Sequence, residues 1–197
     1  MEKVTHTKRY FEEARRIIDR LDVQTIETMA HAFAELRTRG GRLFILGVGG
    51  SAANASHAVN DFRKLCGIET YAPTDNVSEL TARTNDEGWN SVFACWLETS
   101  RISDKDAILV LSVGGGNDSQ NVSVNLIQAI EEAKKIGATV FGIVGRDGGF
   151  TKQYGDHVLV IPVIEPKHIT PHTESFQGAI LHCLVSHPEL QIQSTKW

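Results

Sequence analysis

The sequence predicts an α/β protein: a doubly wound parallel sheet in three layers, preceded by a pair of N-terminal helices. Three observations carry this expectation. From residue 42 onward, short apolar runs alternate with helical segments, the rhythm of strand–helix–strand units. The runs, such as RLFILGV and AILVLSV, are nearly continuous in Val, Ile and Leu, which marks strands buried on both faces and hence parallel pairing. Before residue 40 the apolar positions instead recur at helical spacing.

Taken in order, Phe11, Ala14, Ile18 and Leu21 form one apolar stripe, and Ile26, Met29, Ala30 and Phe33 form a second, which Gly40-Gly41 ends. A helical hairpin cannot bury both stripes by itself, so this pair must pack on the rest of the chain or on a second subunit; the subunit interface is the expectation. Strands are expected at 42–48, weakly at 69–73, and at 107–113, 139–145 and 157–163. Helices are expected at roughly 51–66, 76–83, 90–101, 119–136 and 171–186. No repeat or low-complexity linker interrupts the pattern. Residues 1–197 are therefore expected to form one domain, with 1–40 the helical pair used in oligomerisation and 41–197 the α/β core.

Composition excludes several classes. With 41% hydrophobic residues and a net charge of −4 the chain is not a disordered one. No apolar run reaches the roughly 18 residues of a membrane span, and the charged start MEKVTHTKRYFEEARR lacks a signal-peptide core. Cys66, Cys95 and Cys183 make no CxxC pair, which fits a reducing compartment, and the expected location is cytoplasmic. The absence of a Lys/Arg cluster argues against a nucleic-acid partner, and nothing suggests a membrane partner. A local pocket for a small anion remains open.

Two strand ends carry such a pocket. After the first strand comes Gly47-Val48-Gly49-Gly50-Ser51, where glycines let backbone N–H groups approach a ligand and Ser51 is placed to cap the next helix. After the 107–113 strand comes Ser112-Val113-Gly114-Gly115-Gly116-Asn117-Asp118-Ser119. The two turns read as halves of one phosphate cradle. Gly47-x-Gly49-x-x-Ala52 with Glu69 also satisfies a dinucleotide fingerprint. Against that reading, the following helix carries His57 and Asp61 on one face, and the second loop would be surplus.

His57 and Asp61, four apart on a helix, offer an imidazole and a carboxylate to a divalent metal. By themselves they read more readily as a surface hydrogen bond. In the last helix, Thr170-Pro171 looks like the start, and Glu174 and His182 follow with Gly178 between them. Their eight-residue step rises about 12 Å, so both reach one ion only by leaning together over Gly178.

These motifs, in this order, resemble the sugar isomerase (SIS) domain family, and within it the bacterial phosphoheptose isomerases. The resemblance runs through GVGGSAANASHAVNDF, Asn85-Asp86-Glu87-Gly88, the Ser112 loop, Gly145-Arg146-Asp147-Gly148-Gly149 and the Glu174…His182 helix. It implies a flavodoxin-like SIS fold and conversion of sedoheptulose 7-phosphate to a heptose 7-phosphate, a lipopolysaccharide precursor. It also implies a homotetramer with sites between subunits, and zinc as the divalent metal. Carried over by position, Ser51, Ser112 and Ser119 would bind phosphate, joined by the turn glycines Gly49, Gly50 and Gly114, and Asp86 would line the sugar pocket. His57, Asp61, Glu174 and His182 would hold metal, with Asp61 and His182 as the acid/base pair. The sequence departs from the family where Val48 replaces a usual Asn, Asp61 a Glu and Glu174 a Gln, and where the Ser112 loop is longer and poorer in hydroxyls. A carboxylate in place of an amide would strengthen a divalent cation site.

Overall fold

A computed structural model describes residues 5–194. The chain runs α1 (His6–Ile18), α2 (Val23–Thr38), β1 (Leu43–Gly47), α3 (Gly50–Cys66), β2 (Thr70–Tyr71), α4 (Val77–Asp86), α5 (Val92–Thr99), β3 (Ala107–Ser112), α6 (Val124–Ile136), β4 (Thr139–Val144), α7 (Gly149–Tyr154), β5 (His157–Val160) and α8 (Ile169–Val185). The five strands pair in parallel in the order β2-β1-β3-β4-β5. No helix among the described residues is long and apolar enough to cross a membrane.

Strand periodicity divides the core in two. Leu43, Ile45, Leu109, Leu111, Phe141 and Ile143 point to one face, where α2, α3 and α8 cover them. Phe44, Leu46, Ile108, Val110 and Val140 point to the other, under α5 and α6. Both sets are fully buried, so the apolar runs lack polar alternation for the reason the sequence suggested. The three-layer α/β architecture is as expected.

The N-terminal helices behave differently from one another. The α2 stripe of Ile26, Met29, Ala30 and Phe33 is buried in the chain's own core, not held back for a second subunit. Phe33 stacks on Phe141 at 4.0 Å between ring centroids and lies 5.1 Å from Phe62, so its truncation to Ala should cost about 3–5 kcal/mol. In α1 the buried residues are Glu13 and Ile17, whereas Phe11 and Ile18 of the expected stripe are 67% and 60% exposed. The inward face is set by Tyr10, Glu13 and Ile17, a pattern that mixes polar groups into the contact and so escapes an apolar count.

Three boundaries also shift. The weak second strand shrinks to two residues. Helix α6 begins at Val124, because Asn117 Oδ1 accepts from the Gln120 N–H (3.0 Å) and the Ser119 hydroxyl (2.9 Å) and holds the preceding segment as a loop. Helix α8 begins at Ile169, ahead of Thr170, because a single 3-10 turn over Pro166–His168 runs into it. The short α7 has no counterpart in the sequence reading; its six residues open on a glycine and carry no apolar period.

Candidate active site

A parallel sheet leaves a crevice where two neighbouring strands send their crossovers to opposite faces. β1 and β3 are that pair, with α3 on one face and α6 on the other. A cavity of about 930 Å³ opens at their C-terminal ends, lined among others by Val48, Ser51, Ser112, Gly114, Arg146 and Thr170.

The first loop builds its half of the cavity from backbone. Gly49 adopts φ of 63° and caps α3 without a side-chain bond, a conformation glycine takes without strain. The first-turn N–H groups of Gly50 and Ser51 then lack intrahelical partners and sit at the positive end of the helix dipole. Ser51 is not the cap its position suggested. Its hydroxyl donates to Gln177 Oε1 at 3.0 Å. Gln177, fully buried, also accepts from Asn54 Nδ2 at 3.1 Å and donates to the Ile143 carbonyl at 3.3 Å. This polar bridge fixes α3 against α8 and leaves the Ser51 N–H as the donor facing outward.

The second loop is a packed structure. Ser112 Oγ accepts from the Gly115 N–H at 3.0 Å. A Cβ on Gly115, where φ is +71°, would stand 1.9 Å from the Gly148 carbonyl oxygen. The Gly115 and Gly116 carbonyls accept from the Thr151 and Phe150 N–H groups, each at 2.9 Å. The glycines therefore serve close approach of the β3 and β4 loops, and among the described residues Gly114 donates to none. Ser119 does not line this cavity but an adjoining one of about 590 Å³, with Lys152 and Tyr154, which shares Gly116, Asn117, Asp147 and Gly149 with the first. Asp86 ends α4, is exposed, accepts from Asn85 Nδ2 at 2.7 Å, and is not among the residues lining the larger cavity.

Arg146, which sequence reasoning gave no role, follows the end of β4 with φ of +51° and lines the larger cavity. Its guanidinium has no partner among the described residues, and its Cδ lies 3.6 Å from where a Cβ on Gly114 would be. A lone cation directly after a strand's C-terminal end was the signal that could have found it. Glu69, the acid of the dinucleotide reading, accepts from the Tyr71 hydroxyl at 2.9 Å.

The second feature is a cluster between α3 and α8. His57 Nε2 and His182 Nε2 are 2.9 Å apart. Asp61 Oδ2 lies 3.3 Å from the first and 3.8 Å from the second. Asp61 is buried, and its Oδ1 accepts from Asn60 Nδ2 at 3.0 Å, which turns Oδ2 toward the imidazoles. Two imidazoles and a carboxylate, all within 4.8 Å of one another, suit zinc with an open position. Glu174 stands apart from them. Its carboxylate rests against Gly50, 2.5 Å from where a Cβ would be. Side chains on a helix lean toward its N-terminus, so Glu174 leans away from His182 and toward the dipole of α3. Over Gly178, the nearest atom to a Cβ position is Asn54 Oδ1 at 3.8 Å.

Comparison with known proteins follows the same lines. The SIS domain family model matches residues 9–145. The phosphoheptose isomerase of Syntrophotalea carbinolica is 30% identical over 88% of this chain and 87% of its own. That of Trichlorobacter lovleyi is 32% identical over 81% and 78%. The solved phosphoheptose isomerase of Neisseria gonorrhoeae superposes with a TM-score of 0.79 at 24% identity, covering 91% of this chain and 95% of its own, a likeness of fold.

Proposed function

The chain belongs to the SIS domain family, and on that premise we propose that it is an aldose–ketose isomerase converting sedoheptulose 7-phosphate to D-glycero-D-manno-heptose 7-phosphate. The observation that carries this reading is the convergence of His57, Asp61 and His182 near a cleft suited to phosphate. Curated relatives bearing the name phosphoheptose isomerase support the substrate.

The phosphate sits at the ends of β1 and β3, held by the Gly50 and Ser51 N–H groups, the Gly114 N–H, and Arg146, whose guanidinium pairs bidentately with phosphate oxygens. From Ser51 to His57 is six residues of helix, about 9 Å, a span that suits a seven-carbon sugar with phosphate and carbonyl at opposite ends. Asp61 removes a proton from C1 of the ketose while His182 gives one to O2. Return of the first proton to C2, with the O1 proton passing to His182, restores both residues and leaves the aldehyde at C1. Where zinc is bound, His57, Asp61 and His182 would hold it, and its Lewis-acid polarisation of the sugar oxygens would stand in for the proton that a ligated His182 nitrogen no longer carries. The two imidazoles are more than half exposed, so catalysis needs a cover that excludes water. A second subunit packed on α1, where Phe11 and Ile18 are open, fits a homotetramer with intersubunit sites.

The test follows sedoheptulose 7-phosphate by NMR, with protein stripped by chelator and resupplied with zinc. The expected result is turnover restored by zinc and abolished in Asp61→Asn and His182→Ala. Full turnover in both variants would overturn the assignment. Conversion of only a different sugar phosphate would keep the chemistry and replace the substrate. Tight sugar-phosphate binding with no turnover would make the chain a non-catalytic sensor.

A further inference from the structure

A second group of metal-binding donors joins α1 to the start of α8. The Oε2 atom of Glu13 lies 2.7 Å from His168 Nδ1 and 3.0 Å from His172 Nε2. These residues come from chain segments more than 150 positions apart. His172 precedes His182 by ten residues, about 15 Å of helix, so the group is distinct from the cluster above.

The environment of Glu13 is unusual for a carboxylate. It is only 5% exposed, and its ion-pair partners are these two imidazoles, with no Lys or Arg among them. With no Lys or Arg beside it among the described residues, the buried anion has no fixed counter-charge, a costly arrangement.

Two further features suit an ion. His168 and His172 are four apart, the imidazole spacing common in zinc sites. Tyr10 stacks on His172 at 4.2 Å and fixes its ring, and the ring of His6 stands 5.5 Å from that of His168.

We propose that Glu13, His168 and His172 bind a divalent transition-metal ion, zinc by donor chemistry, which clamps α1 to the body of the protein. The ion replaces the imidazole protons directed at Glu13 and supplies the counter-charge that the carboxylate lacks. Ligand atoms around a tetrahedral zinc lie about 3.3 Å apart, so the two contacts of Glu13 need to open by only roughly half an ångström. The fourth position is open to water or His6. The consequence is mechanical: Glu13 and Ile17 are the buried residues of α1, so a metal held by Glu13 strengthens the docking of this helix.

The test uses the full chain carrying His57→Ala and His182→Ala, which removes the other cluster. Zinc is titrated against a chromophoric chelator, and cobalt(II) absorption reports the coordination. The expected result is one zinc per chain, with d–d bands of a four- or five-coordinate site and a raised Tm. Adding Glu13→Gln, or separately the partly exposed His168→Gln, should weaken zinc at least about a hundredfold and abolish the shift in Tm. Circular dichroism establishes that each variant is folded, and the second variant serves where the first is not. A folded background protein that takes up no zinc at submillimolar concentration, or unchanged affinity in the folded variants, would overturn the proposal.

Discussion

The carboxylate of Glu174 lies against Gly50 at the first turn of α3, and not beside His182 two turns along its own helix. A group that position in sequence assigns to the metal therefore borders the proposed phosphate site. Its negative charge competes there for the N–H groups and dipole that would hold an anion.

Replacing it gives the first prediction. Glu174→Gln should tighten sugar-phosphate or inorganic phosphate binding by about three- to tenfold, the effect of one charge near a helix end. Zinc affinity at His57, Asp61 and His182 should not change. Titration calorimetry with each ligand reads both; loss of zinc binding would place Glu174 among the ligands after all.

Loop packing gives the second. Gly115→Ala adds strain at φ of +71° and drives a Cβ to 1.9 Å from the Gly148 carbonyl, which should cost about 3 kcal/mol or more. Gly40 has a similar φ of +68° but open space around it, so Gly40→Ala should cost only about 1 kcal/mol. Urea unfolding of the two variants separates backbone strain from collision, and equal losses would refute the packed-loop account.

The third concerns pH. Asp106 is buried and accepts from Arg42 Nη2 at 2.7 Å, the Arg42 N–H at 2.8 Å and the Ser103 N–H at 2.9 Å. Desolvation is the largest influence and acts upward, but the Arg42 and Ser103 bonds together hold its carboxyl below the ordinary 3.8. A lowered carboxyl stabilises the folded state above its unfolded value and loses that effect as pH falls through its folded value. Asp106→Asn should therefore cost about 3 kcal/mol at pH 7, where Arg42 loses its carboxylate and keeps only the Ser100 and Arg101 carbonyls. The gap between wild type and variant should narrow below pH 3.8. A gap independent of pH would show that the loss is steric.

Thiol chemistry provides the fourth. Burial pushes the Cys66 thiol up to about 12, whereas Cys183 is exposed. A thiolate-specific reagent such as DTNB should label Cys183 in the native protein at pH 8 and reach Cys66 only on unfolding. Labelling of Cys66 at the native rate of Cys183 would show that the α3–α8 contact opens readily.

The sequence by itself determined the layers and the order of the strands and of every helix but α7, because strands buried on both faces leave a continuous apolar signal that no loop imitates. It also located the two turns at β1 and β3, since clustered glycine and serine break the apolar runs there. Partnership was decided only in three dimensions. The burial of Phe33 while Phe11 stays open depends on which face of each helix meets the sheet. Ser51 bonds Gln177 because α3 and α8 lie side by side, a contact spanning 126 residues. Arg146 gains its meaning from a cavity that no local pattern encodes. Glu174 and His182 share a helix, but an eight-residue rise separates them and only folding sets Glu174 against Gly50. Glu13 reads on a helix surface as one more solvated charge, and only folding surrounds it with His168 and His172.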